Sequence, residues 1–505
     1  MSHRRSILIN AAEMRALEAA AVEAGTSEEM LMDEAGAGLA AVVRQFYPRA
    51  GAAVVFAGKG HNAGDACVLA GHLLESGWTV EVRASWPEGA WRPLARKKWE
   101  AIKARVTPAP VESGSTPQGR PLLLIDGLLG IGTGGSLKSP VREACCMINR
   151  LRERHFAEVL AVDLPSGMDA DSGASDDDTV VADITATLGY PKSGLCAPGA
   201  EKYTGRLALV PLRPLPCPEN AESRDRLITS DMLRVLLRAR PFTMHKGQAR
   251  RVGIVAGSRG LTGAARLAAT AAGAAGGGLV TLFCPGDVYE ILAATCPPEV
   301  MVRAVRSCLE VMEFPLDAVG VGPGMGTAPL PYLASLLRDD PRPVIVDADA
   351  LNALAGSNVS LSGRKGGPRL LTPHPGELAR LATAFVPDST APAAALAEAW
   401  DVTVLSKSSR SAVISAGQPV TYNPTGHPMM AKGGMGDVLT GFCTTFAAQG
   451  MGLHDAACLG SWLIGFAAEQ ARVLDGDAPE GFTPSRLIEV AAAKGFAALR
   501  RGGVF

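Results

Sequence analysis

Ala431-Lys-Gly-Gly-Met-Gly-Asp-Val-Leu-Thr-Gly-Phe442 is the stretch around which this 505-residue chain is organised. Its three closely spaced glycines allow a tight turn and a close approach to a ligand, and the apolar residues from Val438 onward begin a helical face. The first turn of such a helix offers unpaired N–H groups to phosphate oxygens or to a developing oxyanion. Asp437 lies there, either as a capping carboxylate or as a base beside a phosphate.

Length predicts two or possibly three domains, and composition favours a small-molecule partner. The 49 Lys and Arg residues balance 50 Asp and Glu residues, and no block of like charge suggests a nucleic-acid partner. The ten cysteines show no metal-binding spacing, which predicts reduced thiols in a cytoplasmic protein. No signal peptide is expected. The weakly polar run Leu261 to Cys284 carries Arg266, so we interpret it as a buried glycine-rich helix and expect no membrane partner.

The first half alternates strands, glycine-containing loops and helices. The apolar run Ala52–Ala57 precedes the loop 58–65, and a helix is predicted over 66–75. Similar units begin with the strand patterns 79–83, 122–126 and 159–163. This alternation predicts an α/β fold with a parallel sheet covered on both faces, in which ligands bind beyond the carboxyl ends of the strands.

Polar side chains gather at those predicted strand ends, and they are Asn62, Asp65, Asp126, Asp163 and Ser166. A turn or a helix cap accounts for any one of them taken singly. Three carboxylates at one sheet edge repel one another unless a cation or a ligand donor lies between them. Oxygen ligands without Cys or His suit a hard cation.

Six motifs follow one another in this half: Leu31-Met-Asp-Glu-Ala-Gly36, Gly58-Lys-Gly-His-Asn-Ala-Gly-Asp65, Asp126-Gly-Leu-Leu-Gly130, Asp163-Leu-Pro-Ser-Gly167, Ala182-Asp-Ile-Thr-Ala-Thr187 and Pro191-Lys192. Together they resemble the NAD(P)H-hydrate epimerase family over about residues 10–212. The resemblance implies a Rossmann-like three-layer αβα domain over residues 1–215. The chain departs from the family at His61, Ala63 and Ala66, where Asn, Gly and Gly are usual.

The same resemblance implies the site residues of this half. A potassium ion would be held by Asn62, Asp126 and Ser166, and Asp163 and Lys192 are the candidates for proton transfer. The implied contacts with the hydrated dinucleotide are His61, Asn62, Ala63, Gly64, Asp65, Gly130, Ile131, Gly132, Thr133, Gly134, Gly135, Ser136 and Asp163.

A proline-rich polar segment, 211–226, predicts the domain boundary, with the second domain over residues 226–505. There, strand patterns at 251–256, 317–321, 343–347, 369–372 and 402–405 again end in polar or glycine-rich loops. A glycine-rich anion hole ahead of a helix, with an Asp at its entrance, is what phosphoryl transfer to a hydroxyl requires. This context favours Asp437 as a base.

The runs 253–265, 320–326, 344–354, 370–377 and 432–441 resemble the ADP/ATP-dependent NAD(P)H-hydrate dehydratase family, which has a ribokinase-like α/β fold. The resemblance implies contacts with the hydrated dinucleotide at Ala265, Gly326, His374 and Asp437, with Mg²⁺ bridging nucleotide phosphates. Adenine nucleotide would contact Lys407, Ser408, Ser409, Arg410, Ser411 and Gly436. Met435, His427 and the Ser408-Ser409 pair depart from the family pattern.

Together the halves predict an enzyme that repairs hydrated NADH and NADPH. The first would interconvert the R and S hydrates, and the second would dehydrate the S hydrate with ADP or ATP. We also expect a homo-oligomer. The alternative is a ribokinase-like kinase of a small alcohol, such as a vitamin precursor, joined to a non-catalytic ligand-binding or scaffold domain.

Overall fold

The structure is a computed structural model that describes residues 5–132, 136–239, 241–246, 248–357, 359–476 and 478–505. It divides into two compact units: unit 1 comprises residues 1–229 with 504–505, and unit 2 comprises residues 230–503. Across these described ranges, no helix is both long enough and apolar enough to cross a membrane.

Unit 1 contains a parallel sheet with the strand order β3-β2-β1-β4-β5-β6-β7. Its strands are β1 (Ala52–Ala57), β2 (Thr79–Ala84), β3 (Thr107–Pro108), β4 (Leu122–Gly127), β5 (Glu158–Val162), β6 (Ile184–Leu188) and β7 (Arg206–Val210), and the short β8 (Arg226–Leu227) follows. Its helices are α1 (Ala11–Glu23), α2 (Glu28–Phe46), α3 (His61–Glu75), α4 (Pro93–Ile102), α5 (Val141–His155) and α6 (Glu201–Thr204).

The strand order of unit 1 reverses between β1 and β4. β1 pairs with β2 on one side and with β4 on the other, so the connections that leave β1 and β4 diverge. In parallel sheets this arrangement opens a crevice at the carboxyl ends of the two strands. Every residue of both strands is buried, as expected where helices cover both faces.

Helix α3 begins at His61, whereas the sequence predicted its start at Ala66. Gly60 is the extended N-cap residue, and the turn that follows packs tightly because Gly64 has no side chain to overlap Met32 of α2. Glycine and polar residues suggested a loop, but tertiary packing outweighed their low helix propensity. The predicted ligand loop is therefore shorter, and Asn62 lies in the first turn of a helix.

Unit 2 contains a second sheet, whose strands follow the order β11-β10-β9-β12-β13-β14-β15-β16-β17. The pairs from β11 to β15 are parallel, and β16 and β17 add antiparallel partners. The strands are β9 (Arg251–Val255), β10 (Leu279–Cys284), β11 (Val300–Ala304), β12 (Ala318–Val321), β13 (Val344–Val346), β14 (Arg369–Leu371), β15 (Thr403–Ser406), β16 (Ala412–Ser415) and β17 (Thr421–Tyr422).

Twelve α-helical segments are described in unit 2, and the order of the strands reverses between β9 and β12. They are α7 (Ser230–Arg234), α8 (Thr262–Ala274), α9 (Tyr289–Thr295), α10 (Cys308–Met312), α11 (Leu333–Asp339), α12 (Ala348–Gly356), α13 (Pro375–Phe385), α14 (Pro392–Trp400), α15 (Met435–Ala448), α16 (Leu453–Gln470), α17 (Pro484–Val490) and α18 (Phe496–Arg501). π-Helical turns, Ala471–Asp475 and Ala491–Gly495, follow α16 and α17.

The prediction of one buried helix from Leu261 to Cys284 is wrong in its second half. The run forms α8 and then the buried strand β10. Gly276 adopts a φ of 98° just after α8 and turns the chain toward the sheet. The sequence analysis also did not identify β6, β7, β11, β16 or β17, whose apolar runs are short and carry no strong period.

Small residues bring α15 against α8. Gly441 of α15 faces the carbonyl oxygen of Ala268, and the buried face of α8 consists of alanines. A methyl group at Gly441 would overlap that carbonyl oxygen. Because the two backbones pack this closely, α8 fixes the position of the first turn of α15, which carries Asp437.

We therefore predict that Gly441→Ala lowers the stability of unit 2 by about 1–3 kcal/mol, the usual cost of overpacking a core. Gly273→Ala is the matched control, because Gly273 lies in α8 with nothing within 4 Å of the added methyl group. It should stabilise the helix by roughly 0.5–1 kcal/mol. Urea unfolding of both variants measures the difference, and equal stabilisation by both would contradict the packing of α15 on α8.

Candidate active sites

Asp126 at the end of β4 is a buried carboxylate with only neutral hydrogen-bond donors. It accepts bonds from the Ser166 hydroxyl at 2.7 Å, from Ser166 N at 2.8 Å and from Leu128 N at 3.2 Å. Burial raises its pKa to about 6 despite these bonds, and no cationic side chain among the described residues contributes to that shift. A buried negative charge without a cationic partner is the environment that a bound cation would relieve.

The Asn62 side chain supplies a further oxygen atom close to the loop that follows Asp126. Its amide nitrogen donates to the carbonyl oxygen of Leu129 at 2.8 Å, and its Oδ1 faces Gly130. The Ser166 hydroxyl also accepts a bond from Leu129 N at 3.0 Å. Thus Asn62, Asp126 and Ser166, which the sequence analysis grouped, are connected through one loop. The described residues contain no cluster of three His, Cys, Asp or Glu side chains suited to a metal.

Asp163 and Lys192 form a buried ion pair after β5. The Lys192 ammonium donates to Asp163 Oδ1 and to the carbonyl oxygen of Leu188 at 2.9 Å, and Leu188 N donates to Asp163 at 3.0 Å. Asp163 has a φ of 67°, a conformation uncommon for residues with a Cβ atom. The structure therefore brings together the two residues expected to move protons.

The charges of this pair act on two more carboxyl groups, Asp65 and Glu18. Burial raises the pKa of Asp65 well above its usual range, and the negative charges of Asp163 and Glu18 raise it further. Burial also raises the pKa of Glu18, whereas the charge of Lys192 lowers it. The sequence analysis did not identify Glu18, because its place in a surface-type pattern on α1 gave no sign of this neighbourhood.

The remaining predicted dinucleotide contacts of unit 1 are divided between two segments. In α3, Ala63 and Gly64 are buried, while His61 is exposed, 3.9 Å from a Glu28 carboxylate oxygen. In the loop after β4, Ile131 accepts a bond from Arg15 at 2.9 Å. Gly132 and Ser136 are exposed. Thr133, Gly134 and Gly135 lie outside the described residues.

In unit 2, α15 begins at Met435 with Gly434 as its N-cap residue. Gly434 has a φ of 97°, and no side chain caps the helix start. Asp437 is the third helical residue, so the alternative that it is the N-cap is wrong. The first N–H groups of this helix therefore have no capping side chain, as is typical of an anion site at a helix N-terminus.

Charged groups surround Asp437. Burial, together with the negative charges of Asp347 and Asp349, raises its pKa to about 6, although the Lys407 ammonium acts in the opposite direction. Lys407 donates to Asp347 Oδ1 at 2.6 Å, and the Thr440 hydroxyl donates to Asp347 Oδ2 at 2.7 Å. A carboxyl group with such a pKa is well suited to accept a proton near neutral pH.

The other predicted contacts of unit 2 lie at neighbouring strand ends. Ala265 is buried in α8, and Gly326 N donates to Asp349 Oδ2 at 2.8 Å. His374 caps α13, since its Nδ1 accepts from Gly376 N at 3.0 Å and its backbone N–H donates to Glu377 at 2.8 Å. Half of the His374 side chain remains exposed, which leaves Nε2 accessible beside Glu377.

The segment Lys407 to Ser411 forms a compact turn after β15. Ser411 Oγ donates to the carbonyl oxygen of Ser408 at 3.0 Å, and Arg410 N donates to Ser408 Oγ at 3.2 Å. Gly436 lies next to the Lys407 ammonium group, because a methyl group built on Gly436 would be 3.3 Å from Nζ. Of the predicted nucleotide residues, Lys407 and Gly436 therefore lie side by side at the start of α15.

Asp347, Asp349 and Thr440 belong to this site, yet the sequence analysis assigned them no role. Asp347 follows β13 and is buried. The next residue, Ala348, has a φ of 47°, which places the turn in a strained conformation. Their position after a buried strand was the signal that could have identified the two carboxylates.

Two family models match the chain. The one described as NAD(P)H-hydrate dehydratase matches residues 252–490, and the one described as YjeF-related protein N-terminus matches residues 28–194. A crystal structure of the ADP/ATP-dependent NAD(P)H-hydrate dehydratase of Bacillus subtilis, co-crystallised with ATP and Mg²⁺, is similar at 24% identity and a TM-score of 0.47. That likeness covers 54% of this chain and 98% of that chain.

Curated relatives match nearly the whole chain. The bifunctional NAD(P)H-hydrate repair enzyme of Moorella thermoacetica is 36% identical over 494 residues, with 92% of each chain covered. The corresponding enzyme of Gloeobacter violaceus is 34% identical over 467 residues, with 88% of this chain and 89% of that enzyme covered. The chain therefore belongs to the family of bifunctional NAD(P)H-hydrate repair enzymes.

Proposed function

We propose that unit 1 interconverts the R and S hydrates of NADH and NADPH, and that unit 2 returns the S hydrate to NAD(P)H at the expense of ADP or ATP. The observation that carries the proposal for unit 2 is Asp437, a carboxyl group with a pKa of about 6 in the first turn of a helix with no capping side chain. Family membership supports the pairing of the two activities and favours it over kinase chemistry on a small alcohol.

In unit 2, Asp437 accepts the proton of the hydrate hydroxyl as that oxygen attacks the terminal phosphoryl group. The N–H groups at the start of α15 and the Lys407 ammonium stabilise the negative charge of the transferring group. The new phosphate ester is a better leaving group than hydroxide. Loss of phosphate with a ring proton then restores the reduced nicotinamide.

The nucleotide and Mg²⁺ fit the charges of this site. The carboxylates of Asp347, Asp349 and Asp437 are opposed by Lys407, which leaves an excess of negative charge for a divalent ion to offset. Mg²⁺ usually takes one or two carboxylates together with phosphate oxygens, and Asp347 and Asp349 are the protein ligands that suit it. When bound, it would neutralise charge on the nucleotide phosphates. Adenine nucleotide would lie along Lys407 to Ser411 and Gly436.

In unit 1, the Asp163 and Lys192 pair moves the proton during epimerisation. Burial raises the pKa values of Asp65 and Glu18 beside the pair, and this direction of shift favours carboxyl groups that can donate a hydrogen bond to the hydrate. These buried groups support a catalytic role for unit 1 over a scaffold role. The dinucleotide would lie over α3 and the loop after β4.

Potassium fits the oxygen donors near Asp126. The Asp126 carboxylate, the Asn62 amide oxygen and the Ser166 hydroxyl are hard ligands. The raised pKa of Asp126, whose charge has no cationic partner among the described residues, supports a bound cation. The ion would hold the loop that follows β4 and so position substrate.

Within the described residues the ten cysteines form no disulfide, which suits a reducing compartment, and we propose a cytoplasmic location. The expectation of a homo-oligomer stays a prediction.

Asp437→Asn should reduce dehydration of the S hydrate by a factor on the order of 10²–10⁴, because it removes the base while keeping side-chain size. Asp455→Asn is the matched control, since Asp455 is also the third residue of a helix, α16, and is exposed. The rate is followed by the return of reduced-nicotinamide absorbance with ADP or ATP present. Normal turnover by Asp437→Asn would remove Asp437 from the mechanism.

Asp163→Asn should reduce the rate of R hydrate repair to that of uncatalysed epimerisation. The S hydrate should still be consumed at nearly the parent rate when nucleotide is present. Asp183→Asn provides the control, because Asp183 forms an ion pair with Arg152 at 2.6 Å that holds structure in the same unit. That variant should lose stability and keep epimerisation. Repair of the R hydrate at the parent rate by Asp163→Asn would refute the role of Asp163.

Replacing K⁺ by tetramethylammonium at constant ionic strength should suppress epimerisation, and added K⁺ should restore it. Asn62→Leu removes one oxygen ligand at similar size, so the K⁺ concentration for half-maximal rate should rise at least about tenfold. Epimerisation without nucleotide is measured by chromatography of the two hydrates. A rate independent of K⁺ would count against a cation at Asp126.

A further inference from the structure

A cavity of about 430 Å³ opens in unit 1 at the carboxyl edge of the sheet, apart from the Asp163 and Lys192 pair. Its walls come from Ala84 and Ser85 at the end of β2, from Pro110 to Glu112 after β3, and from Ser139, Pro140 and Glu143 around the start of α5. This volume is within the range of small-molecule sites. The residues assigned above to the hydrated dinucleotide do not include any of these.

The position of this cavity follows from the order of the strands. In doubly wound sheets a dinucleotide lies across the reversal point, with its pyrophosphate over the helix after the first strand and its adenosine beyond the second strand. Here the reversal lies between β1 and β4, α3 begins at Gly60 without a side-chain cap, and the cavity lies beyond β2. The loop that enters the cavity wall at Ser139 is the continuation of the proposed substrate loop, 130–136.

The lining of the cavity suits a nucleoside. Ala84, Pro110, Val111 and Pro140 supply apolar surface for a base. Ser85 Oγ is buried and has no hydrogen-bond partner among the residues that the structure describes, although buried polar groups are nearly always paired. A rotation of the Ser85 side chain toward the cavity would let a bound hydroxyl or ring nitrogen supply this missing partner.

The charges at the cavity are negative. Glu112 and Glu143 are its charged lining residues, and the Ser139 hydroxyl holds the pKa of Glu143 below its usual range. The neighbouring Arg142 offsets the charge of Glu143 only in part, because its guanidinium also pairs with Asp176 at 3.3 Å and with Asp178 at 3.4 Å. Carboxylates accept hydrogen bonds from ribose hydroxyls, whereas a 2′-phosphate is normally accommodated by an arginine.

We propose that this cavity binds the adenosine end of the hydrated dinucleotide and that Glu112 and Glu143 make unit 1 prefer hydrated NADH over hydrated NADPH. The proposal rests on the epimerase function proposed for unit 1. In this proposal the two carboxylates repel the 2′-phosphate of hydrated NADPH. This repulsion weakens binding of hydrated NADPH and needs no additional contact with hydrated NADH.

The test compares kcat/KM for epimerisation of the two R hydrates by the full-length protein without nucleotide. The parent should favour hydrated NADH on the order of tenfold or more, since opposed like charges cost more than one decade of affinity. The double variant Glu112→Gln and Glu143→Gln should bring the ratio toward one. Glu153→Gln, an exposed change further along α5, is the matched control and should keep the parent ratio.

The salt dependence of the preference for hydrated NADH provides a second test of the proposed repulsion. Both carboxylates are exposed, so added NaCl at fixed K⁺ should reduce the preference of the parent and leave the double variant unaffected. Equal kcat/KM values in the parent, or a preference that the double variant retains, would overturn the proposal.

Binding without catalysis separates this proposal from the epimerase function. ADP-ribose and its 2′-phosphorylated form are titrated calorimetrically into the full-length protein, with saturating ATP and Mg²⁺ present to occupy unit 2. Tighter binding of ADP-ribose, lost in the double variant, supports the cavity even if neither hydrate is epimerised. Equal binding of the two probes overturns the cavity assignment even if both hydrates are epimerised.

Discussion

A carboxylate buried at the end of a parallel strand has to be matched by a positive charge, a hydrogen-bond donor or a proton. Each unit of this protein contains such groups, and each resolves the constraint differently. Lys192 pairs with Asp163, neutral donors surround Asp126, and the pKa of Asp437 is raised to about 6. These differences in charge compensation are the basis on which we assign proton transfer to the first group, cation binding to the second and general base catalysis to the third in the proposed function.

The fold explains how these groups come together. In both sheets the strand order reverses near the first strand of the unit, and the polar residues follow the carboxyl ends of buried strands. Close helix packing, as at Gly441 of α15, holds the helices that carry these side chains in place. The two units thus use one architectural rule to build two different sites, which suits a chain that carries out two successive steps on one damaged cofactor.

The sequence predicted the fold best where a short apolar run is followed directly by polar or glycine residues that suit a ligand site. The strand patterns 52–57 and 122–126 were predicted correctly, because a short apolar run followed by a glycine turn is typical of a buried parallel strand. The start of α3 and the strand β10 were not predicted correctly, because tertiary packing rather than the local sequence determines them. Glu18 was missed because its partners, Asp65 and Lys192, are distant in sequence and only the fold brings them near.

Repair of both epimers by one chain is the central claim. The most direct measurement incubates the full-length protein with a mixture of R and S hydrates of NADH, Mg²⁺, K⁺ and ADP or ATP, and follows reduced-nicotinamide absorbance together with inorganic phosphate. We predict that absorbance returns for both epimers, with phosphate released in equal amount. Recovery that stops at the S fraction, or a phosphorylated hydrate that accumulates without NADH, would contradict it.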